Sequence, residues 1–337
     1  MSFYKKISKS SRGFLNYTGM PLESFDRRYP TLEKKHEELE ALRKQRTVVS
    51  GELREREAGG GRKYENDLKD RVVMLLMYYR LYLTQDFMTL LFKATNKSVI
   101  SRSFQTVKPL VELCLPTPEK VKKASLELAQ KETSRRKRIG TIEEFKAAYP
   151  ELEIEILIDG KEQPKRRPKD KEKKKNQYSG KKKRHTLKQL IASTRKGLII
   201  YQGNSFEGST HDFEGFKAEK EQIFSGCEGL NISGYFDAGF QGIEKLRLPE
   251  NITIKQVMRA FRNKPLTPNQ KKINKLRGSI RVAREHVIGK TKKYRIASDI
   301  YRNSDQAYDS TMTIVAGLVN LRLIDKIYQE QGISFKW

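Results

Sequence analysis

The stretch Glu153-Ile154-Glu155-Ile156-Leu157-Ile158-Asp159 indicates the fold class of this 337-residue chain. Its isoleucines alternate with Glu153, Glu155 and Leu157, and this two-residue period predicts a β-strand. The strand is expected to end at Asp159-Gly160, which would place a carboxylate at a strand terminus.

Strand and helix patterns continue from this stretch towards the C-terminus. Further strands are predicted up to about Ser193, over residues 197–202 and over residues 232–237, and the last of them ends on Asp237. A helix with Thr210 or Asp212 as its N-cap is predicted to run to about Phe224. Residues 267–293, which begin with a Thr cap and Pro at the first position, predict a long helix, and residues 310–323 predict a closing one. The order predicts an α/β domain, a sheet with flanking helices.

Three carboxylates in this domain suggest a chemistry. Asp159 and Asp237 end strands, and Glu285 lies on the long late helix. Phosphodiester chemistry needs acidic oxygens that converge on two divalent cations. Mg²⁺ prefers oxygen ligands, so Asp and Glu are the residues to expect. Carboxylates at strand ends are common, and the pattern alone is a weak signal.

The late helix carries the acid between two cations. Arg281, Glu285 and Lys292 have separations of four and seven residues, which put all three on one helical face. Such a face could bind a metal while its cations hold DNA phosphates. Taken in isolation, an ordinary Arg–Glu pair at i,i+4 is the better interpretation.

The charge of the chain points to a polyanionic partner. Lys and Arg number 69 against 41 Asp and Glu, a formal net charge of +28. Basic surfaces gain affinity for nucleic acid by releasing counterions from phosphates. Residues 165–188 hold 13 Lys or Arg against two acids. This segment is either a flexible solvated loop or a phosphate-contact element that includes Lys181, Lys182, Lys183 and Arg184.

The region before the α/β domain predicts helices. Residues 33–56 form a charged helical pattern, and residues 68–79 have apolar positions at helical spacing. Thr84 can cap a helix over residues 85–92, and Ser98 one over residues 99–113. This pair fits a helix-turn-helix, whose second helix would present Ser98, Ser101, Arg102, Gln105 and Lys108 to DNA. A plain helical bundle explains the pattern about as well.

Several classes of protein are excluded. Cys114 and Cys227 lie far apart and outside any CxxC, and His36, His185, His211 and His286 lack metal-binding spacing. Neither a disulfide framework nor a zinc site is expected. The two isolated cysteines instead fit a reducing cytoplasm. No apolar run approaches the ~20 residues of a membrane-spanning helix. Residues 1–19 lack the apolar core of a signal peptide.

Motifs along most of the chain resemble the DDE transposases of bacterial insertion sequences. The similarity is greatest to the insertion-sequence-five group, whose nuclease domain is similar to that of Harbinger-like transposases. The sequence carries Leu157-Ile158-Asp159-Gly160-Lys161-Glu162 with Arg167-Pro168, Tyr178-Ser179-Gly180 with residues 181–186, Gly208-Ser209-Thr210-His211-Asp212-Phe213, Asp237-Ala238-Gly239-Phe240-Gln241-Gly242 and residues 281–289. Residues 15–20 and the helix-turn-helix pattern also fit.

The resemblance implies an RNase H-like catalytic domain, two Mg²⁺ or Mn²⁺ ions and cleavage of DNA strands at transposon ends, after which the 3′-hydroxyls attack target DNA. It assigns the catalytic, metal-binding acids as Asp159, Asp237 and Glu285. Asp212, beside His211, competes for the middle place. We prefer Asp237, because it ends the fourth strand beside the first, where the family's fold places its second acid. Asp212 opens a helix and is expected to shape the site or to bind a group next to the metal ligands. Arg281 and Lys292 match the family's Y-R-E-K signature, whereas its tyrosine position is Gly278 here.

The predicted organisation has four parts. Residues 1–65 form a basic helical region, 66–120 the helix-turn-helix domain, 121–150 a linker and 151–337 the RNase H-like domain. Expected partners are double-stranded DNA, both transposon ends and target, and a second copy of the chain on DNA; no membrane is expected. The expected location is the nucleoid of a bacterial cytoplasm. Two alternatives are a catalytically silent DNA-binding regulator derived from a transposase and an RNA-binding protein of the translation machinery. The second leaves the placed acids unexplained.

Overall fold

The computed structural model describes residues 2–46, 64–136, 154–237, 239–240, 242–258, 260 and 265–331. The chain divides into two compact units. The helical unit comprises Met1–Leu115 with Tyr294–Ile296, and the sheet unit comprises Pro116–Lys293 with Ala297–Trp337. None of the described helices has the length and apolar character that a bilayer span requires.

The described elements of the helical unit are α1 Phe3–Ile7, α2 Ser11–Thr18, α3 Leu22–Arg46, α4 Leu68–Leu81, α5 Gln85–Leu91 and α6 Lys97–Cys114. Buried aromatic and aliphatic side chains join these helices, and Asp70 of α4 holds α1 by accepting hydrogen bonds from Ser2 Oγ and from the N–H groups of Phe3 and Tyr4. The charged helix predicted over residues 33–56 begins earlier, at Leu22, and residues 47–56 lie outside the described part.

The caps of α5 and α6 test the sequence signals. Thr84 Oγ1 accepts a hydrogen bond from Phe87 N at 3.2 Å, so the predicted cap of α5 is confirmed. The prediction of Ser98 as the next cap is wrong. Asn96 is the cap, because its side-chain oxygen accepts a bond from Ser98 N at 3.0 Å and the helix therefore begins at Lys97.

The described elements of the sheet unit are α7 Pro118–Arg136, β1 Ile154–Pro164, α8 Lys171–Asn176, β2 Tyr178–Ser179, β3 Arg184–Thr194, β4 Ile199–Gln202, β5 Phe206–Glu207, α9 Asp212–Phe224, β6 Ile232–Phe236, β7 Ile252–Gln256, α10 Pro268–Lys292 and α11 Tyr308–Gln331. Helix α7 lies in the segment predicted as a linker, of which residues 137–150 are outside the described part. The closing helix α11 is longer than the predicted residues 310–323.

The sheet is mixed, with β1 between an antiparallel and a parallel neighbour. Strand β3 pairs antiparallel with β1 from Ile156↔Thr194 to Pro164↔Thr186, and the short strands β2, β5 and β4 follow one another along the other edge of β3. On the opposite side of β1, β6 and then β7 pair in parallel. This sheet with its flanking helices fits the predicted RNase H-like fold.

The two faces of β1 have different environments. Ile156 and Ile158 lie in a core with Phe216 and Ile223 of α9 and Phe236 of β6. The side chains that alternate with them face α11, since Lys161 Nζ lies 3.1 Å from Met312 Sδ and Tyr308 Oη donates to Gln163 Oε1 at 3.1 Å. We call these the α9 face and the α11 face.

Two expectations about this unit are corrected. Strand β1 does not end at Asp159-Gly160, because β3 continues to pair with it as far as Pro164. The cap of α9 is neither Thr210 nor Asp212: His211 takes the N-cap position without a side-chain cap hydrogen bond, and Asp212 is the first helical residue.

Candidate active site

Asp159 lies inside β1, just past the point where one neighbouring strand stops. Strand β6 pairs with β1 only as far as Leu157↔Tyr235, whereas β1 continues to Pro164. Among the described residues, no strand covers that edge of β1 from Ile158 to Pro164. Asp159 is half-buried there, and its Oδ1 accepts a hydrogen bond from the N–H of Gly160 at 2.8 Å. The site is therefore a cleft at the carboxyl end of β6.

Asp237 directly follows the neighbouring strand β6, which ends at Phe236. It follows Tyr235 by two residues, as Asp159 follows Leu157, and the two strands run parallel. The alternation of β6, continued by one residue, favours the α11 face for the Asp237 carboxylate, the face on which Asp159 lies. Side chains of this face meet, because Tyr235 Oη donates to Glu155 Oε1 at 3.0 Å.

The backbone after Asp237 is held in place from β7. Gln256 Nε2 donates to the carbonyl oxygens of Asp237 at 3.1 Å and Phe240 at 2.8 Å. The carbonyl of Gln256 in turn accepts a hydrogen bond from Arg277 Nη1, which links the end of β7 to α10. The turn that carries the second acid is therefore fixed to the helix that carries the third.

Glu285 is an exposed residue of α10. The predicted start of this helix is confirmed, since Thr267 and Gln270 form a reciprocal capping box. Helix α10 contacts β1, and the charge of Lys292, two turns beyond Glu285, reaches Lys161 on the α11 face. The side chain of Arg281 lies outside the described part.

The three acids do not form a preassembled metal cage. Within the described ranges, no group of three or more His, Cys, Asp or Glu side chains is arranged to hold a metal ion. Asp159 and Asp237 each lie two residues beyond the last registered pair of two adjacent strands, and Glu285 lies on α10, which contacts β1. The two aligned carboxylates are nevertheless the hard oxygen donors that Mg²⁺ and Mn²⁺ prefer.

Asp212 lies on the other face of β1. A Cβ built on Gly160 would stand 2.6 Å from the Asp212 carboxyl carbon, so this carboxylate occupies the space that the glycine leaves open. Gly160 alternates with Asp159 and therefore belongs to the α9 face. Lys188 Nζ lies 3.2 Å from Asp212 Oδ1 and donates to the Thr210 carbonyl at 2.7 Å. His211 beside it is exposed.

Lys161 is a buried cation next to the candidate acids. It lies two residues beyond Asp159 on the α11 face and is 2% exposed. Burial, with a contribution from the charge of Lys292, lowers the pKa of Lys161 to about 7. The Lys161 ammonium group therefore loses its proton more readily than that of an ordinary lysine. The α11 face next to Asp159 thus carries a weakly basic amine.

The residues predicted to contact DNA lie on two surfaces. On α6, Ser98, Arg102 and Gln105 are exposed and Ser101 is half-buried, while burial lowers the pKa of the half-buried Lys108. The opposite face of α6 is buried, as the sequence pattern predicts, through Ile100, Phe104, Val107 and Val111. In the sheet unit, Lys181, Lys182, Lys183, Arg184 and Lys292 are all exposed.

Sequence reasoning missed Lys161 and Lys188. Both belong to the region where β1 and β3 pair beyond Asp159. Residues 160–164 contain no apolar alternation, so nothing in the sequence signals that the strand continues. Without that continuation, the face on which Lys161 lies and the partner of Lys188 cannot be assigned.

Comparison with known proteins agrees with the placement of the acids in one domain. Residues 158–320 match the family model described as DDE superfamily endonuclease. The chain is 29% identical over 267 residues to a probable transposase for insertion sequence element IS702 of Microchaete diplosiphon, a match that covers 78% of this chain and 83% of that protein. No solved structure matches the chain.

Proposed function

The chain belongs to the DDE transposases of bacterial insertion sequences, and we propose that it binds the terminal inverted repeats of its element, cleaves DNA strands at the ends and joins the 3′-hydroxyls to target DNA. The observation that carries the proposal is the parallel pairing of β1 with β6, whose last registered pair, Leu157↔Tyr235, lies two residues before Asp159 and Asp237. Strand alternation then favours one face of the sheet for both carboxylates, at an open strand edge. An open edge at the carboxyl end of a parallel strand suits a substrate phosphate.

Asp159, Asp237 and Glu285 are the proposed catalytic and metal-binding residues. Bound Mg²⁺ or Mn²⁺ would supply an activated attacking oxygen and a stabilised leaving oxygen. Asp159 and Asp237 offer their oxygens from fixed strands. The third acid comes from α10, and its approach to the pair is proposed to accompany DNA binding. Lys292, on the same helical face, neutralises charge near the carboxylates.

Asp237 rather than Asp212 is the proposed middle acid. Asp237 follows Tyr235 by two residues, as Asp159 follows the paired Leu157, and strand alternation favours the same face of the sheet for both acids. Asp212 lies on the opposite face of β1 and already pairs with Lys188. We propose that Asp212 and His211 shape the site, because the Asp212 carboxylate packs on the residue that follows Asp159.

DNA recognition is proposed for the helical unit. Helices α5 and α6, with α4 packed against α6, provide the pair of short helices that a helix-turn-helix requires. The exposed face of α6 would place Ser98, Ser101, Arg102 and Gln105 in the major groove, with Lys108 at its margin. Joining two ends requires at least two copies of the chain on DNA, in the cytoplasm where bacterial DNA lies.

The choice of acids is tested by cleavage of a duplex that carries the element's own end, with Asp237→Ala and Asp212→Ala compared in parallel. We expect Asp237→Ala to abolish cleavage with DNA binding intact, and Asp212→Ala to retain measurable cleavage. Loss in Asp212→Ala with activity in Asp237→Ala would reverse the assignment. Tight end binding without cleavage by the natural protein would favour the silent regulator instead.

A further inference from the structure

The basic segment of the sheet unit contains a structured hairpin. Tyr178↔His185 and Ser179↔Arg184 pair between β2 and the start of β3, and we call residues 178–185 the basic hairpin. Ser179 Oγ accepts a hydrogen bond from Lys182 N at 3.2 Å, and Lys183 takes a positive φ of 53° to close the turn. Residues 178–185 therefore form a paired hairpin with a closed turn, and the prediction of a flexible loop is wrong for these residues.

The base of the basic hairpin is fixed to the sheet. Thr186 N donates to the Gln177 carbonyl at 2.8 Å, and Lys165 N donates to the His185 carbonyl at 2.9 Å. Thr186 Oγ1 also donates to Glu162 Oε1 at 2.8 Å, across the β1–β3 pair. The hairpin therefore continues the β1–β3 ribbon on which Asp159 lies, and its position relative to that acid is set by the strands.

Cations at the base and at the tip of this ribbon differ in their partners. Lys165 forms an ion pair with Asp305, and Lys188 forms one with Asp212. Lys181, Lys182, Lys183 and Arg184 are exposed, and across the described ranges none of them forms an ion pair. No described residue neutralises the concentrated charge of the tip by an ion pair, and an anionic partner is its expected counterpart.

The strand geometry gives the distance from the acids to these cations. Pro164, opposite Thr186, lies five residues beyond Asp159, which is roughly 17 Å of strand. Arg184, the first residue of β3, lies two residues from Thr186 towards the turn, which puts the cations of the tip about 24–28 Å from Asp159. Duplex DNA advances about 3.4 Å per base pair, so this distance corresponds to roughly seven to eight base pairs.

We propose that the basic hairpin grips phosphates of the DNA duplex roughly seven to eight base pairs from the bond cut beside Asp159. This proposal rests on the proposed function, because it takes the phosphate at Asp159 as its origin. The partner is double-stranded DNA, since the paired base of the hairpin holds four exposed cations at the end of the β1–β3 ribbon, where the backbone of a duplex bound at Asp159 would pass. The contact is electrostatic and independent of base sequence.

The test uses the full-length protein with lysines 181, 182 and 183 all changed to alanine. The control changes Lys217, Lys220 and Lys245 to alanine, which removes the same charge from α9 and the turn after β6. Affinity for a duplex with the element's end is measured against KCl concentration. Loss of three phosphate contacts makes the slope of log K against log salt shallower by about 2.7, and the control leaves it unchanged.

Hydroxyl-radical footprinting on the same duplex locates the contact. We expect protection roughly seven to eight base pairs from the cut in the natural protein and in the control, and its loss in the variant of residues 181–183. An unchanged slope, or protection that persists at this distance, would overturn the hairpin proposal. Preference of the hairpin for RNA or single-stranded DNA over the duplex would overturn it too.

Failure of this proposal is distinguishable from failure of the proposed function. Cleavage by the natural protein that disappears in Asp159→Ala, together with an unaltered footprint in the variant of residues 181–183, would refute only the hairpin contact. Cleavage that survives in Asp159→Ala would refute the proposed function and with it the origin of the measured distance.

Discussion

Asn320 is predicted to be the most costly polar residue to replace in α11. It is fully buried, and its side chain makes three hydrogen bonds to backbone groups. Oδ1 accepts from Ile199 N at 2.7 Å, while Nδ2 donates to the carbonyls of Ile199 at 2.8 Å and Pro116 at 3.1 Å. The Asn320 amide thus bonds both backbone groups of Ile199 in β4, in the place that a further strand beside β4 would take.

Asn320→Leu keeps the size of the side chain and removes all three bonds. Each of the three backbone groups left without a partner costs about 1–3 kcal/mol, so the free energy of unfolding should fall by roughly 3–9 kcal/mol. With a urea m-value near 3 kcal/mol per M, the midpoint should fall by about 1–3 M. Urea unfolding followed by far-UV circular dichroism measures this shift.

Thr313→Ala is the matched control on the same helix. Its hydroxyl donates only to the carbonyl of Asp309 within α11, so the midpoint should stay within a few tenths of 1 M of the natural protein. A shift of that size in Asn320→Leu would refute the reasoning, because it would mean that the edge of β4 finds other partners.

Two further perturbations test the surroundings of the acids. Because the pKa of Lys161 is lowered to about 7 in the folded chain, folding stability should rise between pH 7 and about 10.5, where only the unfolded chain keeps the proton. Lys161→Met should therefore raise the free energy of unfolding by up to about 4–5 kcal/mol below pH 7, and this gain should fade towards pH 10.5. Urea unfolding in EDTA at several pH values measures the gain. An equal gain at all pH values would contradict the prediction. Gly160→Ala should displace the Asp212 carboxylate, cost about 1–3 kcal/mol and impair cleavage, whereas Gly278→Ala, with open space around it, should raise stability by about 0.5–1 kcal/mol. Equal effects of the two alanines would refute the role given to the Gly160 contact.

The sequence predicts most of the elements that surround the site, because each has a strong local signal. Alternating isoleucines mark β1, and the Thr267-Pro268 start marks α10, whose capping box is present. The strand that precedes Asp237 and the helix that follows His211 are also where the pattern predicts them.

The continuation of β1 past Asp159 could not be predicted, because it depends on pairing with a distant strand and not on its own residues. Residues 160–164 gain strand structure from β3, which the sequence cannot register against them. The basic hairpin forms where β2 pairs with the start of β3, whereas its lysines considered alone fit a solvated loop as well as a phosphate contact. The cap at Asn96 was missed for a local reason, since both Asn96 and Ser98 are good N-cap residues.

The opposite faces of Asp159 and Asp212 follow only from this pairing. In the sequence, Asp159 ends a predicted strand and Asp212 begins a predicted helix, and Asp212 competes with Asp237 for the middle place. The strand period assigns Gly160 to the α9 face, and the close approach of Asp212 to that glycine places its carboxylate there. That three-dimensional relation is what separates the two candidates.

The most direct test of the proposed function is cleavage of a duplex that carries the element's own end, with Mg²⁺ or Mn²⁺, by the natural protein and by Asp159→Ala. We predict metal-dependent nicking at the end by the natural protein and none by the variant, with equal DNA binding by both. Equal nicking by the two proteins, or binding without nicking by either, would contradict the assignment of Asp159 as a catalytic acid.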